Sequence, residues 1–110
     1  MTNFEKSKAL LELAKAMEAG WKKAPRMERI GFYRGGTETN PLSCCARGHA
    51  GLGKYGDANQ GTAVDFPILE EQAVWASDGD ISDLRNAIDD LVLRYGWYTP
   101  QVARWIRSHI

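Results

Sequence analysis

The chain has 110 residues, of which 44% are hydrophobic and 25% charged, and its 14 Lys and Arg balance 14 Asp and Glu. That size fits one domain, residues 1–110, around a single shared core, and the composition excludes a disordered chain. No apolar run approaches the ~20 residues of a membrane span, so no membrane partner is expected.

The opening "MTNFEKSKALLELAKAMEAG" intersperses Glu and Lys where a secretory signal needs an unbroken apolar stretch, which points to a cytoplasmic protein. The same segment predicts a first helix. Thr2 is placed to cap it, with Glu5 closing a capping box, and Leu10, Leu13, Ala14, Met17 and Trp21 recur at helical spacing. Gly20 is the expected left-handed stop. Residues 22–41 turn basic, then alternate Ile30 and Phe32 ahead of Gly35 and Gly36. The tolerance of those glycines for positive φ predicts the turn of a small β-hairpin near residues 29–39. Such a ribbon is marginal alone, so Ile30, Phe32 or Tyr33 should lean on the helices.

Ser43 predicts the cap of a short second helix from about Cys44 to Leu52, ended by Gly53. The stretch "KYGDANQGTAVDF" reads as a loop, the richest in turn residues. Pro67 in a first turn predicts a third helix running to Ser77 and carrying Ile68, Leu69, Ala73 and Trp75. The strongest helical pattern follows: Asp80 or Ser82 as cap, Leu84, Ala87, Ile88, Leu91, Val92 and Tyr95 on one face, and Gly96 as stop. Thr99 as cap and Pro100 at the first helical position then open a last helix bearing Val102, Ala103, Trp105, Ile106 and Ile110. Together these elements give a mainly α fold, all-α or α+β, built as a compact bundle of four to five helices with one small hairpin.

The segment "LSCCARGHAGLG" at 42–53 holds the only two cysteines, adjacent, one helical turn ahead of His49. On a helix Cys45 and His49 share a face, which supplies two ligands where a zinc site takes four. His109 is the only other histidine, so no metal and no cofactor is expected. A cysteine at a helix N-terminus has its thiolate favoured by the dipole, and Arg47 or His49 lies near enough in sequence to assist, which keeps a small thiol-dependent enzyme among the alternatives. Free cysteine is also among the most buried residue types. The small residues Gly48, Ala50 and Gly51 suit close helix contact, so packing inside the bundle is the favoured role for both sulfurs, and no catalytic residue is assigned.

The run "AGW" at 19–21, a basic hairpin-like stretch, "CARGHAG" at 45–51 and "VWASDGDISDLRNAIDDL" at 74–91 resembles small helical proteins of phages and bacteria that carry no established activity. The resemblance covers about three quarters of the chain on short motifs: Cys45, Ala46 and Gly48 match, whereas His49 stands where those proteins have a small residue. It implies a phage or mobile-element accessory protein, one that modulates or inhibits a host protein.

Charge is distributed unevenly, with net +4 over residues 1–34, −7 over 35–93 and +3 over 94–110. Asp78, Asp80, Asp89 and Asp90 form an acidic row suited to a basic partner surface. Trp97, Tyr98 and Trp105 with Arg94 and Arg104 have the composition of an interface hot spot, while Tyr95 is assigned to the core. These nine residues are the expected binding face of a non-enzymatic protein that engages a macromolecular partner, a protein before all else. A second copy of the chain is another candidate partner. Nucleic acid is the alternative, because the corner between the last two helices, followed by Gln101, Arg104 and Arg107, has the outline of a helix-turn-helix regulator, although three arginines in 17 residues give a modest electrostatic footprint.

Overall fold

The computed structural model describes residues 1–76 and 78–110. Over these described residues it is an α+β fold dominated by four helices, with two small antiparallel ribbons. No helix among the described residues is long and apolar enough to cross a membrane.

Helix α1, Asn3–Lys23, starts as the sequence implies: the Thr2 hydroxyl accepts from the Glu5 amide and the Glu5 carboxylate accepts from the Thr2 amide. Its buried stripe is Leu10, Leu13, Ala14 and Met17. The helix does not stop at Gly20. A Cβ on Gly20 would collide with the backbone carbonyl of His49, and one on Gly53 with the carbonyl of Ala16. Both glycines are therefore spent on close approach of two helix backbones, which a side chain at either position would prevent.

The ribbon of β1, Tyr33–Thr37, and β2, Asn40–Cys44, pairs Tyr33 with Cys44 and Thr37 with Asn40. Its turn lies at 38–39, later than the glycine pair. Gly35 and Gly36 do have positive φ, 71° and 64°, yet they sit inside β1, where the side chain of Leu42 and the backbone of Asn40 press against them. The turn is held instead by Thr37, whose hydroxyl accepts from the Asn40 amide at 3.2 Å. The ribbon is anchored by a parallel bridge: the Glu28 amide donates to the Cys44 carbonyl and the Cys44 amide to the Arg26 carbonyl.

Because β2 consumes Ser43 and Cys44, the second helix begins later than expected. Helix α2, Ala46–Tyr55, is capped by Cys45 and closed by Gly56, whose φ of 73° is the left-handed stop that Gly53 was expected to supply. The predicted third helix reduces to one 3₁₀ turn, Pro67–Glu70. The chain then enters β3, Gln72–Val74, paired antiparallel with β4, Ile81–Asp83. The ladder and the bond from the Leu84 amide to the Glu71 carbonyl give this backbone its partners, overriding a weak helical pattern. The predicted helix end at Ser77 lies outside the described residues.

Helix α3, Leu84–Leu93, is capped by Asp83, which accepts from the Asn86 amide at 2.7 Å, in place of Asp80 or Ser82. Leu84, Ile88 and Val92 are its buried side chains. Helix α4, Thr99–Arg107, buries Val102, Ala103 and Ile106 against α1. Tyr98 occupies its cap position, and Thr99, expected there, is instead fully buried. One core of α1, α3 and α4 side chains is completed by Phe66, Ile68, Leu69 and Trp75.

Candidate functional site

The sulfur segment separates into two environments. Cys44, at the end of β2, is fully buried, and burial pushes its thiol up to about 12, with the neighbouring Cys45 adding to the rise. Cys45 is half-buried at the α2 N-cap, where its Sγ accepts from the Gly48 amide at 3.3 Å. Burial raises this thiol too, against the opposite pull of that amide and of Arg47. Desolvation outweighs the helix N-terminus here, so the thiolate that the helix start was expected to favour is instead disfavoured.

His49 on α2 is fully buried and turned elsewhere. Its Nε2 lies 2.7 Å from the Ala24 carbonyl oxygen and its Nδ1 2.6 Å from the Thr99 hydroxyl. A carbonyl only accepts, so Nε2 carries the proton and Nδ1 accepts from Thr99. Burial holds this imidazole down at about 4, neutral at pH 7. Trp21 closes over it edge-on at 5.3 Å between ring centres. The cluster ties the end of α1 and the start of α4 to α2, and leaves neither nitrogen for a cysteine.

The expectation that both sulfurs are sealed thus holds for Cys44 and fails for Cys45. Cys45 lines a half-open cleft of about 260 Å³ with Phe32, Arg47, Asp89, Val92 and Leu93, and His49 is not among the lining residues. Across this cleft Arg47 holds Asp89 with two bonds of 3.0 Å and stacks on the Phe32 ring at 5.1 Å.

On the other side of α3 lies a larger groove of about 440 Å³. Six of the nine residues expected to bind a partner line it: Asp78, Asp80, Asp89, Asp90, Arg94 and Trp105. Each arrives for a local reason. Asp78 turns the chain ahead of β4 by accepting from the Asp80 amide at 3.1 Å, and α3 places Asp89 and Asp90 next to its C-terminal half. Arg94 reaches Asp90 only at 3.9 Å, with both side chains more than half exposed, so water screens that pair and the groove keeps its negative character. Asp89, by contrast, is neutralised by Arg47 and serves to join α2 to α3.

The aromatic wall of the groove was only partly anticipated. Trp75 and Trp105 meet at 6.3 Å between ring centres, and His109 stands edge-on to both at 5.4 and 4.7 Å. Tyr95, assigned to the core, is 64% exposed on the groove rim. Its place in the helical spacing misleads because α3 ends at Leu93, so position 95 has left the helical phase. Trp97 and Arg104 lie apart from the groove, on a shallow shelf that also takes in Trp105, Gln101 and Ser108. Tyr98 belongs to neither; it packs on Trp21 at 6.0 Å. Arg107 is held by Glu18 through two bonds, the shorter 2.7 Å. Among the described residues no three His, Cys, Asp or Glu side chains converge as metal ligands do.

Comparison of the chain with protein-family models, with curated proteins and with solved structures finds no match.

Proposed function

We propose that this chain is a non-enzymatic binding protein that holds a basic segment of a protein partner in the groove beside α3. One observation carries the reading: carboxylates brought from the approach to β4 and from α3 share one concave surface with Trp105 and Tyr95, backed by the buried Trp75. Guanidinium groups suit such a surface twice over, as planar donors to carboxylates and as cations over aromatic faces. A role in modulating a host protein, as an accessory protein of a phage or mobile element would have, needs such a surface and no catalytic residue. The acidic lining also disfavours phosphate, and of the α4 arginines Arg107 is already committed to Glu18, which places the DNA-regulator reading second.

The test is a fluorescence-anisotropy titration with labelled octa-arginine, labelled octa-glutamate and a labelled DNA duplex. The proposal expects octa-arginine to bind, with affinity falling about tenfold in the Asp80→Asn/Asp90→Asn double variant, the order of 1.4 kcal/mol for two exposed charge contacts. Binding of the duplex but not of octa-arginine would replace this reading with the nucleic-acid one.

A further inference from the structure

Asp89 and Leu93, one turn apart on α3, line both the acidic groove and the cleft that contains Cys45. The two depressions thus share a single ridge. The cleft differs from the groove in chemistry: Ile30, Phe32, Val92 and Leu93 give it apolar walls, and its acid, Asp89, is already neutralised by Arg47. Ile30 is 77% exposed and Leu93 57% exposed at its edge, so apolar surface stands open to water beside the Arg47–Asp89 pair.

Its size decides between kinds of occupant. At about 260 Å³ it falls below the roughly 300–1,000 Å³ of pockets that enclose a whole small-molecule ligand, while being ample for one large side chain. A buried apolar anchor flanked by charged contacts is the usual arrangement of an interface hot spot. We infer that the partner segment crosses α3 between Asp89 and Leu93, placing an aromatic side chain in the Cys45 cleft and an adjacent basic side chain in the acidic groove. This rests on the groove reading given above and adds the identity of the residue beside the basic one. Phe32 and Cys45 line the cleft beside Ile30, Val92 and Leu93, so an entering ring meets an aromatic and an apolar wall.

Cys45 supplies a reporter for occupancy. Cys44 is fully buried, so in the folded protein a thiol reagent reads Cys45. Two labelled peptides of equal charge are compared, both arginine-rich, one carrying a central Trp and the other Ala in its place. The Trp peptide is expected to bind about tenfold tighter, the scale of a hot-spot residue, and to slow the reaction of Cys45 with Ellman's reagent several-fold. The Ala peptide should bind in an Asp90-dependent manner and leave the Cys45 rate unchanged. Replacing the exposed Leu93 by Ser should erase the preference for Trp without disturbing the fold. Equal affinities with no protection of Cys45, while both peptides still lose affinity in Asp90→Asn, overturn the anchor and leave the groove standing. Failure of both peptides to bind overturns groove and anchor together.

Discussion

His49 makes the stability of this protein acid-sensitive in a way that can be isolated. The folded state holds the imidazole at about 4, whereas an unfolded chain has it near its ordinary 6.5. The native state therefore binds the proton less readily, and protonation favours unfolding. Above pH 6.5 both states are neutral at this site and its full contribution is present. As pH falls the unfolded chain protonates first, and the loss grows to about 2 kcal/mol at pH 5 and about 3 kcal/mol at pH 4, where it levels off. Carboxylates also titrate in this range, so the measurement is differential. Urea unfolding of the wild type and of His49→Gln is followed by far-ultraviolet circular dichroism at pH 7, 5 and 4. The wild type should lose about 2 kcal/mol more than the variant between pH 7 and 5. Parallel losses in the two proteins would mean that His49 is not held neutral by burial and that the Ala24–His49–Thr99 cluster is absent in solution.

Other substitutions probe separate parts of the structure. Gly20→Ala should cost about 3 kcal/mol or prevent folding, because the added methyl meets the His49 carbonyl; thermal melts showing less than a 2 °C change would refute the close α1–α2 crossing. Cys44→Ser should cost roughly 1–3 kcal/mol by burying a hydroxyl, whereas Cys45→Ser should stay within about 0.5 kcal/mol because serine caps helices well. Equal effects at the two positions in chemical denaturation would contradict their different environments. Arg47→Ala should destabilise by about 1–2 kcal/mol, and a double-mutant cycle with Asp89→Ala should return a coupling that an exposed pair would not show.

The helical part of the fold was legible because its signals are local. The Thr2 and Glu5 box, the Leu10 to Met17 stripe and the Pro100 start all act within a turn or two of the chain. The misplacements share a cause: residues with a strong local meaning were used for a distant contact. Gly20 and Gly53 look like helix stops but serve the crossing of α1 on α2, and Gly35 and Gly36 look like a turn but sit inside a strand. The segment after Pro67 became a strand because β4, nine residues on, satisfies its backbone.

At the site, the charges were legible and their commitments were not. Composition marks Asp78, Asp80, Asp89 and Asp90 alike, yet only tertiary structure shows that Asp89 is tied to Arg47, 42 residues away. It also shows that Trp97 and Tyr98 lie outside the groove that holds the acids, while Trp75 and Tyr95 line it. The carboxylate at position 89 is consequently a poor site for charge reversal, and Asp80 and Asp90 are the informative ones.

Amide and indole resonances followed by nuclear magnetic resonance during titration with an arginine-rich peptide test the central claim most directly. The account predicts that shifts concentrate on Ser82, Asn86, Asp90 and Arg94 and on the indole N–H group of Trp105, and that they shrink in Asp80→Asn/Asp90→Asn. Shifts confined to the shelf of Trp97, Gln101 and Arg104, or produced by duplex DNA and not by the peptide, would contradict it.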